Sequence, residues 1–168
     1  GAASSDPMFT PEQVNSLWMM RSMTPRAEVG QPLVEYFCHL DPARTSDYYA
    51  LAVAHTEIIY PIQIGPDNKP LRRVVVDHIH YWNPATKNQP VSEDDVIDYV
   101  LKLHLNFRFK QISFDHWHSQ TAIIKLKSRG VNAVERQFNQ EYKGKIYTEL
   151  IQLMRDQRID IYDISGGK

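Results

Sequence analysis

The chain has one cysteine, Cys38, in 168 residues. That excludes an internal disulfide, removes zinc-ribbon chemistry and fits a reducing compartment. Long apolar runs are also missing. None approaches the roughly 18 residues that span a bilayer, and no apolar h-region follows the start, so neither a membrane span nor a leader is expected. Neither sign of charge is in excess: the formal net charge is −1, which is not that of a bulk electrostatic nucleic-acid binder. A P-loop motor is excluded, because no Gly-x-x-x-x-Gly-Lys-Ser/Thr occurs. Gly-x-Ser-x-Gly and His-Glu-x-x-His are absent too, and Cys38 sits in an apolar strand, which disfavours a nucleophile triad. The opening Gly1–Ser5 has no initiator Met and reads as a scar or the edge of a fragment.

What is present is an ordinary globular composition, 42% hydrophobic and 23% charged, long enough for one domain with a sizeable core. Thr10-Pro11-Glu12-Gln13 predicts a capped helix, and the two prolines and glycine of residues 24–32 predict a linker or arm. Residues 1–32 are therefore set apart from a domain spanning 33–168. Strands are expected over 33–40, 47–59 and 72–82, with a turn at Gly65-Pro66-Asp67-Asn68. The period then changes. Ser92-Glu93-Asp94-Asp95 caps a helix lined by Val96, Val100, Leu103 and Phe107. A strand at 111–114, a helix at 119–127 ending at Arg129-Gly130, a strand at 131–135, a helix through Tyr142, Ile146, Leu150 and Leu153, and a last short strand at 159–162 follow. Three meandering strands extended by parallel strands through crossover helices are the order of an α/β, ribonuclease H-like mixed sheet with flanking helices.

In such a sheet the first strand and the first crossover strand are neighbours. That puts Asp41, in His39-Leu40-Asp41-Pro42-Ala43, near Asp115, in Phe114-Asp115-His116-Trp117-His118-Ser119-Gln120. Carboxylates at adjacent strand ends suit Mg²⁺ or Mn²⁺, which favour hard oxygen donors, and two such ions hydrolyse phosphodiesters. Taken singly, Asp41 opens an Asp-Pro turn and Asp115 caps a helix; their joint placement favours the metal. Asp47 either reaches the same cluster or ends a turn with Thr45-Ser46. His78, His80, His116 and His118 with Asp77 offer a weaker zinc alternative. Basic residues crowd the last third, and the pairs Lys125/Lys127 and Lys143/Lys145 are candidate contacts to a DNA backbone.

Three stretches resemble the nuclease domain of the large terminase subunit of tailed bacteriophages, across about residues 33–163. They are Leu40-Asp41-Pro42-Ala43 with Ser46-Asp47 and the strand Tyr49–His55, then Val74-Val75-Val76-Asp77 through Trp82-Asn83-Pro84, and Ile112 through Gln120 followed by a helix and Gly130. The resemblance implies an endonuclease that cuts concatemeric viral DNA with two bound Mg²⁺ or Mn²⁺ ions. Asp41 and Asp115 match the family's first two metal-binding carboxylates, and Asp47 matches a further acidic position. Double-stranded DNA, the portal, the small terminase subunit and an ATPase domain on the same polypeptide are the implied partners. The implied location is the host-cell cytoplasm at the procapsid, without a membrane. The family's third carboxylate has no match before Lys168, and neither Asp160 nor Asp163 corresponds to it, so the domain is expected to be C-terminally incomplete. A resolvase- or integrase-type nuclease, and a non-catalytic DNA-binding or docking module on the same fold, are the competing expectations.

Overall fold

A computed structural model describes residues 24–42, 49–83, 91–115, 120–136 and 140–163. The helix expected after Thr10 lies outside them. The strands are β1 (Phe37–Pro42), β2 (Tyr49–Ile58), β3 (Arg72–Trp82), β4 (Gln111–Asp115), β5 (Ala133–Arg136) and β6 (Ile159–Ile161). The helices are α1 (Glu93–Phe107), α2 (Gln120–Ser128) and α3 (Gln140–Arg155). The strands form one sheet in the order β5-β4-β1-β2-β3-β6. β1, β2 and β3 pair antiparallel, while β4 joins β1, β5 joins β4 and β6 joins β3 in parallel. The expected ribonuclease H-like mixed sheet is therefore present, with a sixth strand on the β3 edge.

The core lies on one face of this sheet. Cys38, Leu40, Leu51, Val53, Ile112 and Phe114 are each no more than 1% exposed. They pack with Val96, Val100, Leu103 and Phe107 of α1 and Ala122, Ile123 and Leu126 of α2. Strand alternation then sends the residues between them, such as His39, Asp41, Ser113 and Asp115, to the opposite face. The third crossover runs from one sheet edge to the other, opposite in sense to the first two, and right-handedness places α3 on that opposite face. Ile159 and Ile161, in register with Val74 and Val76, are buried there, and Met154 in the last turn of α3 is buried as well.

Helix ends follow local chemistry. The Ser92 side chain accepts the Asp95 N–H at 3.3 Å, and Glu93, Asp94 and Asp95 complement the dipole of α1. Ser92→Ala should lower stability by about 1 kcal/mol, roughly 2–4 °C in Tm for a chain of this size; an unshifted melting curve would show that the cap contributes nothing. α2 stops as expected, with Gly130 at φ +78°. One boundary differs from expectation. β1 starts at Phe37 rather than Leu33, because Pro32 has no N–H for a ladder and Leu33, at φ 66°, stands in a turn closed by the Val34 N–H on the Gln31 carbonyl.

Candidate metal centre at two strand ends

The ladder between β1 and β4 sets Cys38 beside Ile112, His39 beside Ser113 and Leu40 beside Phe114. The ladder ends there; carried one step further along both strands, its register would set Asp41 beside Asp115. The buried Leu40 and Phe114 immediately before them anchor both backbones, so the two carboxylates leave a rigid edge. Asp41 is exposed and Asp115 half-buried, so both are open to solvent. Their charges converge on one side chain: both raise the pKa of His39 against a larger lowering by burial. His39 Nδ1 is 2.8 Å from Ser113 Oγ. On β2, Tyr49 is held well above the usual phenol range by burial first and then by the carboxylates of Glu93 and Asp41.

The donor chemistry fits a hard divalent cation: two adjacent carboxylates, accessible from one side and backed by core on the other. Among the described residues no three His, Cys, Asp or Glu side chains converge as a metal cage. Asp47 lies outside the described residues, as do His116 and His118. The zinc alternative gains nothing from the histidines that are described. His78, fully buried, donates from Nδ1 to the Ala27 carbonyl at 2.7 Å and accepts from the Tyr99 hydroxyl at 2.7 Å. His80 stacks on Tyr99 with ring centroids 4.2 Å apart. Both are packing residues. Cys38 is likewise inert, its thiol pushed far up by complete burial.

The lysine candidates divide. Lys125 pairs with Asp94 at 2.9 Å, and Lys127 is exposed in the last turn of α2. Both belong to the helical layer on the far face from Asp41 and Asp115. Lys143 and Lys145 fall in α3, the helix that right-handedness puts on the aspartate face.

Sequence reasoning missed a second polar cluster. A bulge opposes Val53 and Ala54 to His78 and Val76, leaving Asp77 as the extra residue and turning its side chain toward His55. His55 Nδ1 donates to Asp77 Oδ2 at 2.6 Å and Nε2 donates to Glu57 Oε1 at 2.9 Å. An imidazole that donates from both nitrogens is charged, and its pKa is raised by the Asp77 bond foremost, against burial, with Glu57 adding to it. Residues 24–31 run over this cluster as a strap. The Ala27 N–H donates to the Asp77 carbonyl, the Gly30 N–H to Asn106, and the Gln31 N–H to the Tyr36 hydroxyl. The strap and Asp160 help enclose a cavity of about 240 Å³ beside His55. The one available sequence signal was the His55-Thr56-Glu57 spacing, which is uninformative without the bulge.

No family model matches the chain, and no curated protein matches it in sequence. Solved structures do. The large terminase of bacteriophage HK97 superposes with a TM-score of 0.62 at 16% identity, over 93% of this chain and 34% of that one. The large terminase nuclease of thermophilic phage G20c with bound magnesium gives 0.59 at 15% identity, over 89% of this chain and 73% of that one. The large terminase nuclease domain of Thermus phage P74-26 gives 0.59 at 15% identity, over 89% and 71%. The chain spans about a third of the HK97 protein's length. Sheet order, crossover pattern and these superpositions agree: the chain has the ribonuclease H-like fold of phage large-terminase nuclease domains.

Proposed function

We propose that the chain is the nuclease domain of a viral genome-packaging terminase, a metal-dependent endonuclease that cuts concatemeric double-stranded DNA. The observation that supports this is the parallel pairing of β1 with β4, whose register, carried one residue past Leu40 and Phe114, would set Asp41 beside Asp115 at the two strand ends. Crystals of the similar G20c nuclease contain magnesium, zinc or cobalt, which supports a divalent ion here. Asp41 and Asp115 would hold it, with Asp47 as a further ligand, and Mg²⁺ or Mn²⁺ suits this donor set. Bound in a pair, such ions activate water and stabilise the leaving oxygen of a phosphodiester. The chain's own part is orientation. Leu40 and Phe114 fix the strand ends, and Lys143 and Lys145 of α3 are the lysines we assign to the DNA backbone. The portal, the small terminase subunit and an ATPase domain of the same polypeptide are the partners this function requires, at the procapsid in the host cytoplasm.

The test is nicking of supercoiled plasmid with Mn²⁺, Mg²⁺ or EDTA. Metal-dependent nicking that EDTA abolishes is expected. A domain that binds duplex DNA in a salt-dependent way yet cuts it under none of these conditions would instead be a non-catalytic binding module. Cleavage confined to branched DNA would point to a resolvase.

A further inference from the structure

β5 is the sheet edge next to β4, and its last residue stands at the candidate site. In the β4–β5 ladder Ile112 is beside Ala133, Phe114 beside Glu135 and Asp115 beside Arg136. Partners in register share a face, so the strand sorts its two terminal charges by side. Glu135 joins the core face, where its carboxylate accepts from the Gln120 amide at the start of α2. Arg136 goes to the face of Ser113 and Asp115. Its guanidinium bears this out by donating to Gln111 Oε1, two pleats back on that face, at 3.3 Å. Other described cations are neutralised: Arg26 pairs with Glu28, Lys110 with Glu35, Lys125 with Asp94 and Arg158 with Asp156. Arg136 is exposed and forms no ion pair among the described residues. Its partner is a neutral amide just beyond the usual hydrogen-bond range, which a phosphate can replace on the planar fork. Carboxylates alone repel a polyanion, so DNA laid across this edge needs a cation close to Asp115. An arginine turned toward Gln111 supplies that charge without taking the carboxylate from a metal ion.

We propose that Arg136 is a DNA-binding residue of this site, its guanidinium exchanging the Gln111 amide for a backbone phosphate of duplex DNA, next to the phosphate at Asp115. This rests on the nuclease reading and on Asp115 as part of its cation site. The group recognised is a phosphodiester irrespective of base, so the contact sets the register of the strand at the cation and carries no sequence preference. A charge that merely keeps the β5 edge from pairing with another chain would leave DNA affinity unchanged.

The experiment is fluorescence anisotropy of a labelled linear duplex over a series of NaCl concentrations, on wild type, Arg136→Gln, Arg136→Lys and Lys102→Gln. Ca²⁺ is present as a hard cation for the carboxylates, and each protein is also melted and assayed for plasmid nicking in Mn²⁺. Lys102 is exposed on α1, in the helical layer on the far face, so its variant removes a charge elsewhere. One lost phosphate contact predicts that Arg136→Gln melts like wild type and binds about tenfold more weakly. The slope of log K against log salt should become shallower by about 0.9. Arg136→Lys should keep the slope, because the charge remains, yet bind more weakly than wild type, because the fork is lost. Lys102→Gln should match wild type in both. Equal slopes and affinities for wild type and Arg136→Gln, in a protein that nicks plasmid, overturn the inference and leave the nuclease reading standing. So does a loss in Lys102→Gln as large as in Arg136→Gln, which would make the effect one of total charge. Wild-type protein that neither binds duplex nor nicks plasmid defeats the nuclease reading and this inference with it. Should Arg136→Gln fail to fold, phenylglyoxal modification of the wild type decides: shielding of Arg136 by duplex DNA supports the proposal, and labelling that DNA does not change overturns it.

Discussion

Asp115→Asn and Asp41→Asn should each reduce plasmid nicking by about 10³-fold, the equivalent of about 4 kcal/mol of transition-state stabilisation. Asn keeps the size of the side chain and one oxygen but removes the charge, so the loss reports cation binding rather than packing. Neither position supports the core. Asp41 is exposed and Asp115 half-buried, whereas their neighbours Leu40 and Phe114 are fully buried. Both variants should therefore melt close to wild type. Rates are to be measured at saturating Mn²⁺, so that weakened affinity alone does not mimic lost catalysis. Because the two aspartates act as one site, the double variant should be scarcely slower than either single one. If either single variant cuts at the wild-type rate, that aspartate is not a ligand, and the strand-end pair loses its chemistry.

A second large effect belongs to the strap. His55→Ala should destabilise the fold by about 3–5 kcal/mol, because it leaves the Asp77 carboxylate buried without its cation. His55 and Asp77 are only 7% and 9% exposed, so water cannot easily take over. Against a usual total of about 5–15 kcal/mol the variant is near its limit. The pH dependence has a definite sign. His55 carries a raised pKa in the folded state, foremost through Asp77, so the native state binds the proton more tightly than the unfolded one. Its contribution is complete below about pH 6.5, the unfolded value, and disappears as pH rises through the higher folded value. The difference between wild type and His55→Ala should thus be widest near pH 6 and shrink on the alkaline side. Urea melts across that range would check it; a gap that does not change with pH would mean that the imidazolium is not what holds Asp77. Hydrogen exchange should show the Ala27 amide, bonded to the Asp77 carbonyl, opening earlier in the variant.

Much of this architecture was legible because it was written in short-range patterns. β3 was bounded correctly at 72–82, and α1 was announced by Ser92 and a three-and-four spacing of apolar residues. The neighbouring of β1 and β4 followed from crossover rules and is present in the sheet. The His39–Ser113 pair was also within reach. His39-Leu40-Asp41 and Ser113-Phe114-Asp115 share an apolar centre between two polar positions, so once the strands are set side by side the outer residues must face each other. The Asp77–His55 pair was not legible. Strict alternation runs His78 and His80 along one face and sends Asp77 to the other; the bulge adds one residue and reverses that assignment. The prolines and glycine of residues 24–32 announced an arm, but nothing in Arg26, Ala27 and Glu28 announced where it docks, since it is held chiefly by backbone groups, which every sequence has.

The site has a kinetic consequence. His39 and Ser113 are 74 residues apart in the chain, and the aspartates beyond them are joined only through that same pairing. Closing so long a segment is slow and gains little until the core between the sheet and its helices has formed. A nascent chain that has emerged only as far as α1 has Asp41 but no Asp115, and a collapsed intermediate lacking the β1–β4 ladder has both but not together. The proposed cutting activity therefore waits on a long-range contact of folding, and a copy truncated before β4 lacks it.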